Sequence, residues 1–252
     1  MVVRELKNLL SFLTIFSTTM EKDVMIICAK NMWGFPLIGA FIGLLAGLFG
    51  WICYMFLPSI VVGGLVLALL LLITGLHHTD GLLDFGDGVM AHGSFEHKID
   101  VMHDQLTGAG GLSLGIMVML ITALALGQLL NTGFIIQAII VVETSAKLSM
   151  VVTAWAGKSV HECMNTPFLE AMQKEKGNLR LIAALLISFA ISLPLLFWAG
   201  VFPVLAGIIS GLIMVIIAHR NFNGVTGDVF GATNEITRMV CVIVLLAVIA
   251  WA

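Results

Sequence analysis

Seven apolar runs, at about 34–57, 59–78, 109–130, 133–156, 179–199, 201–219 and 236–252, lie near the ~20 residues that a helix needs to cross a bilayer. In lipid every backbone polar group must be bonded within the chain, so runs of this kind span as helices. The chain therefore reads as all-α, a polytopic membrane bundle of about seven spans forming one domain over residues 1–252. Its composition agrees: 60% hydrophobic residues, 11% charged and a mean hydropathy of +1.08 exclude an ordinary soluble domain. No internal repeat or low-complexity tract divides it.

The gaps between the runs differ in kind. Those near Pro58, Asn131-Thr132 and Gly200 are short and uncharged, whereas 79–108, 157–178 and 220–235 are long and polar. All Lys and Arg residues except Lys147 fall in the N-terminal region, in these three long connections or at adjoining span ends, and Glu143 is the matching exception among the acids. By the positive-inside rule, the N-terminus and the long loops are expected in the cytoplasm of a cell-membrane protein. Within the N-terminal segment 1–33, residues 2–16 place Leu6, Leu9, Leu10, Leu13 and Phe16 at helical intervals, which predicts an amphipathic helix on the membrane surface. Residues 17–33 are expected at the interface. Ser17-Thr18-Thr19 makes a poor cleavage site, so no removed signal peptide is expected. Gly39, Gly43 and Gly47, like Gly207 and Gly211, recur every fourth residue and predict close helix packing. Cys28, Cys53, Cys163 and Cys241 show no paired spacing and read as packing residues.

The chemistry concentrates in Thr74-Gly-Leu-His-His-Thr-Asp-Gly-Leu-Leu-Asp-Phe-Gly-Asp-Gly88. On a helix, Asp80, Asp84 and Asp87 fall within about 60° of one another. Like charges so placed repel unless a cation lies between them, and oxygen-only ligands favour Mg²⁺ or Mn²⁺. Read without a ligand, the segment is a solvated acidic face. Gly81, Gly86 and Gly88 would bare the backbone to an approaching polyanion. Asp104 follows on the same loop; a short helix over 94–106 capped by Ser94 would let it close the metal site from across the loop. Gly108 to Gly111 open the next helix, where free N–H groups favour anions. His77, His78, His92, His97 and His103 crowd this loop without tetrahedral zinc spacing. His77 shares the helical face of Asp80 and Asp84 and stands as a base, a ligand or an interfacial residue. Further on, Arg220, Asn223, Thr226, Gly227 and Asp228 lie in a glycine-rich loop that would form a second wall. Glu143 and Lys147, four apart within a span, are placed to pair.

These residues resemble the cobalamin synthase family, the adenosylcobinamide-GDP ribazoletransferases. Phe35-Pro-Leu-Ile-Gly39, Leu76 to Gly88, Met102-x-Asp104-x-x-x-Gly108-x-x-Gly111 and Gly224-Val-Thr226-Gly227-Asp228-x-x-Gly231-Ala232 carry the resemblance, in order and through most of the chain. The family's His-x-Asp-Gly falls on His78. Its N-terminal Thr-Arg-Leu-Pro-like stretch appears here as Thr14-Ile-Phe-Ser17, without arginine or proline, and the polar residues after Met-x-Asp appear as Gln105, Leu106 and Thr107. The resemblance implies transfer of the cobinamide phosphate from adenosylcobinamide-GDP to a hydroxyl of α-ribazole or its 5′-phosphate, with release of GMP. Mg²⁺ on Asp80, Asp84, Asp87 and Asp104 would offset the diphosphate charge, and His78, His77 or a carboxylate would take the proton. The rivals are a CDP-alcohol phosphotransferase, a prenyl-diphosphate transferase or a divalent-cation transporter. The first pairs its acids with an Ala-Arg that this chain lacks, and transport would place more acids at span midplanes.

Overall fold

The computed structural model describes residues 2–16, 24–160 and 165–251. Among the described residues twelve α-helices follow one another: α1 (Val2–Leu13), α2 (Val24–Lys30), α3 (Phe35–Tyr54), α4 (Ser59–Ile73), α5 (His77–Met90), α6 (Phe95–Met102), α7 (Ala109–Leu129), α8 (Ile135–Ala156), α9 (Thr166–Gln173), α10 (Gly177–Leu196), α11 (Val201–Phe222) and α12 (Gly227–Ala250). The cleavage-site reading of Ser17-Thr18-Thr19 and the packing role of Cys163 lie outside the described residues. Cys28, Cys53 and Cys241 are free thiols, two of them buried.

α8 is the axis of the bundle and is buried along nearly its whole length, against α3, α11, α12 and α10. The glycine stripes make this possible. A Cβ at Gly39 would overlap the Glu143 carbonyl, and one at Gly43 would stand 2.7 Å from the Ile139 oxygen, so α3 and α8 touch backbone to backbone. Gly207 and Gly211 bring α11 onto Ser145 and Ser149 of α8 in the same way.

Five helical runs are long and apolar enough to cross a membrane, and a sixth is reached if α4 and α5 count as one bent span. One of the five, the 46 residues Gly177–Phe222, would be about 69 Å long if straight, more than twice a bilayer core. It folds back on itself instead. Phe197 takes φ 51 and ψ −140; Trp155 near the end of α8 bonds Asn178 at the start of α10, whereas the Lys158 N–H donates to His219 at the end of α11. Length and composition thus give five or six, and the expected seven follows only when this hairpin is taken as two crossings and α4 as another.

The second run departs from expectation. Instead of continuing to residue 78, α4 stops at Ile73, and α5 leaves at 96°. Gly75 (φ 64) and Leu76 (φ 63) are both left-handed, a conformation that ends a helix. α5 therefore leaves the line of α4 and packs against α12 and α7. α6, α9 and the N-terminal helices gather at one end of the bundle, where the Ile15 N–H donates to Ile73 O, Arg180 Nε to Lys30 O and Lys98 Nζ to Asn221. The opposite end carries short turns, bridged by Tyr54 and Asn131. α1 turns much of its apolar face toward the bundle. Leu9 and Leu13 are buried and Phe12 stacks on Phe168, so its apolar face is spent on the protein.

Candidate active site

α5 carries all three predicted aspartates on one helix, as the 3.6-residue period requires. Asp80 is exposed, and Asp84 and Asp87 are partly buried. Burial, followed by the charges of Asp80, Asp228 and Asp87, pushes the Asp84 carboxyl up to about 7. That crowding brings α12 into the cluster through Asp228, so two connections distant in sequence do form one polar site. His103 faces it, with Nε2 3.6 Å from Asp228 Oδ2.

The glycines beside the acids serve a different purpose from the one expected. A Cβ on Gly81 would stand 3.0 Å from both Cα and O of Asp228, and one on Gly231 would stand 2.9 Å from the His78 carbonyl. Gly86 meets Gly111 of α7, and Gly88 meets Phe222 and Met102. They let α5 press against its neighbours and leave no backbone open to a polyanion. The start of α7 is likewise taken. Asp87 accepts from the N–H groups of Gly108 (2.7 Å) and Gly111 (2.8 Å), so the anion at this helix N-terminus is the protein's own carboxylate, and Gly108 is no free phosphate contact.

Asp104 does not join the cluster. α6 begins at the expected Ser94 cap, whose Oγ accepts from the His97 N–H, but it ends at Met102. Exposed Asp104 instead accepts from the N–H of Leu106 in its own turn. The predicted loop 220–235 is also mostly helix. Asn223 is a left-handed cap closing α11, and Thr226 opens α12 by accepting from the Val229 N–H. Arg220 and Asn223 are exposed on the far side of this corner, whereas Thr226, Gly227 and Asp228 face inward.

What they face is a cavity of about 680 Å³ between α1, α5, α9 and the first turns of α12. Its lining includes the polar residues His77, His78, His103, Asn165 and Asp228 and the aromatic residues Phe12, Phe35 and Phe168. His78 is 7% exposed and its Nδ1 has no hydrogen-bond partner. Burial, with Lys147, Arg238 and His77 near it, holds this imidazole well below its ordinary pKa, so it is neutral. His77, about 100° round α5, is exposed, and both histidines line the cavity.

Below the cavity lies a buried ionic network that the sequence reading missed. Glu143 and Lys147 each bond across to α12 where pairing with one another was expected. Arg238 donates to Glu143 through Nε and Nη2 and to Glu235 through Nη1; Asn234 Nδ2 donates to Glu235 at 2.9 Å, and Lys147 Nζ donates to Asn234 at 2.6 Å. None of the four ionic side chains is more than 1% exposed. Placing the loop end at residue 235 hid Glu235; Thr226-Gly-Asp, a capping residue with an acid in the first turn, was the available signal for a longer helix.

Among the described residues, no three His, Cys, Asp or Glu side chains are close enough as they stand to hold one metal ion. The donor chemistry nevertheless fits a hard divalent cation, because Asp80, Asp84, Asp87 and Asp228 crowd together and supply only oxygen. Asp87 uses one lone pair on each oxygen for α7 and keeps others free.

Fold and site together define a polytopic helical membrane protein that carries an acid cluster beside a deep amphipathic cavity at one end. Residues 5–246 match the cobalamin-5-phosphate synthase family, and the chain belongs to that family; it is a transferase of cobalamin biosynthesis. An adenosylcobinamide-GDP ribazoletransferase of Methanocella arvoryzae is 37% identical over 219 residues, 82% of this chain and 82% of its own length. One from Thermococcus kodakarensis is 32% identical across 98% of this chain and 99% of its own, and one from Methanosarcina barkeri is 31% identical across 86% and 82%. No solved structure matches the chain.

Proposed function

We propose that this protein transfers the cobinamide phosphate of adenosylcobinamide-GDP to a hydroxyl of α-ribazole or α-ribazole 5′-phosphate, releasing GMP in the last assembly step of adenosylcobalamin. The hydroxyl oxygen attacks the cobinamide-side phosphorus, the bond to the GMP oxygen breaks, and the hydroxyl proton passes to a base. The observation that carries the reading is the position of Asp228, which lines the cavity and at the same time stands among the α5 carboxylates. One substrate can then sit in the cavity while the diphosphate of the other meets the acids.

A bound Mg²⁺ would offset the diphosphate charge and favour departure of GMP. Asp80, Asp84, Asp87 and Asp228 are the residues to hold it; Mn²⁺ offers similar chemistry. Asp104 is left out, since it is not among the charges that crowd Asp84. His78 lines the cavity and its Nδ1 is unpartnered, so it accepts a hydrogen bond from the incoming hydroxyl and orients it, while burial and the nearby cations make it a weak base. His77 lines the same cavity and is the second candidate. Thr226 holds Asp228 in place, with Oγ1 3.3 Å from Asp228 Oδ2. The charged end of the bundle faces the cytoplasm of the cell membrane, by the distribution of Lys and Arg.

Purified protein incubated with GDP-cobinamide, α-ribazole and Mg²⁺ tests the reading. GMP and a cobalamin product should appear in equal amounts, stop on chelation and resume with added Mg²⁺. Failure to form either product across several detergents and lipid nanodiscs would overturn the assignment.

A further inference from the structure

We propose that the cavity is the subsite for the acceptor nucleoside, with the flat base against the phenylalanine wall and the sugar hydroxyls toward Asn165 and His78. The inference rests on the transferase reading above and assigns the two substrates to two different places within the site.

Two unmet polar atoms point to a ligand. Asn165 is 4% exposed; its Nδ2 donates to Val225 O at 2.9 Å, which fixes the amide and leaves Oδ1 without a partner. His78 Nδ1 is the second, and both residues line the cavity. A buried polar atom left unpaired is costly to the fold, a loss that ligand hydroxyls would relieve. In the same lining, Phe12, Phe35 and Phe168 form one aromatic cluster with centroids 5.2 to 6.4 Å apart, and Met32 and Met150 also line the cavity. The volume of about 680 Å³ lies within the ~300–1,000 Å³ of small-molecule sites.

The apolar wall also chooses between the two nucleosides of the reaction. Guanine carries donors and acceptors around its edge, and phenylalanine and methionine side chains offer them no proper partners, so burying it there would strand polar groups. The bicyclic base of α-ribazole has far fewer, and it loses little by leaving water for stacked rings. The donor's diphosphate is left to the carboxylates on the α5 side of Asp228.

Equilibrium dialysis of α-ribazole against the full-length protein in detergent, without donor, tests the assignment on the unmodified chain. The free benzimidazole base should compete with α-ribazole, whereas guanosine and ribose should not. Guanosine competing as well as the base, or no competition by the base, would overturn it. In steady-state assays Phe168→Leu and Asn165→Ala should each raise the KM for α-ribazole about two- to tenfold and leave that for GDP-cobinamide unchanged. A rise confined to GDP-cobinamide would assign the cavity to the donor and sink this inference while the transferase reading stood. Where a variant fails to fold, the competition series decides.

Discussion

Asp87 has two duties on one carboxylate. It belongs to the acid cluster and also ties α5 to the first turn of α7 through Gly108 and Gly111. Asp87→Asn replaces one accepting oxygen with an N–H₂ that faces a backbone N–H, so it should lower turnover and also destabilise the fold by about 1–3 kcal/mol, read as a fall in Tm. Asp80→Asn and Asp84→Asn should separate the two effects: kcat falls about 10²–10³-fold while Tm does not fall, and for Asp84→Asn rises near neutral pH in metal-free protein, because each removes charge from a site already crowded with it. Asp104→Asn should resemble the unmodified protein in both measurements. Asp84 adds a pH signature in metal-free protein. Its folded carboxyl titrates near 7, above the ~4 of an unfolded carboxylate, so between these values the folded state binds the extra proton. Stability should therefore decline as pH rises from about 4 to about 7, and Asp84→Asn should flatten that part of the Tm–pH curve.

At the level of elements, the site depends on how closely α5 lies across α12. Gly81 and Gly231 set that distance, and a methyl at either would meet backbone. Gly81→Ala and Gly231→Ala should each cost about 1–3 kcal/mol and lower activity, whereas Gly227→Ala, with nothing near its Cβ position, should leave Tm unchanged. Much of this arrangement was legible in the chain. Helical periodicity placed the three aspartates on one face, the every-fourth glycines marked the α3–α8 and α11–α8 contacts, and Ser94 announced α6. The misreadings share a physical cause: local chemistry does not reveal what a residue meets across the bundle. Gly81 and Gly86 look the same in sequence whether a phosphate or a helix fills the space beside them. The bend after α4 turns on Leu76 in a left-handed conformation, which no residue preference predicts. Asn234 and Glu235 looked like loop residues, and Arg238 like the charged end of a span, because their partners, Glu143 and Lys147, lie on another helix.

For the whole molecule, that network is what joins the central helix to the one that carries Asp228. Two acids and two bases balance in a place without water, so removing one leaves a buried charge unmatched. Arg238→Met should cost about 3–5 kcal/mol and reduce the yield of folded protein. The double variant Arg238→Met with Glu143→Gln should recover part of that loss, since it removes opposite charges together. The sidedness of the bundle is tested separately. Helices α1, α2, α5, α6 and α9 and most of the cations gather at one end, while Tyr54 and Asn131 mark the other. Positive charge is retained on the cytoplasmic side during insertion. In a chain with its four native cysteines replaced, Glu96→Cys and Lys174→Cys should therefore react with a membrane-impermeant maleimide only after the cells are opened, whereas Asn131→Cys should react in intact cells. Labelling of Glu96→Cys from outside would place the acid cluster on the wrong face of the membrane and reverse the proposed orientation.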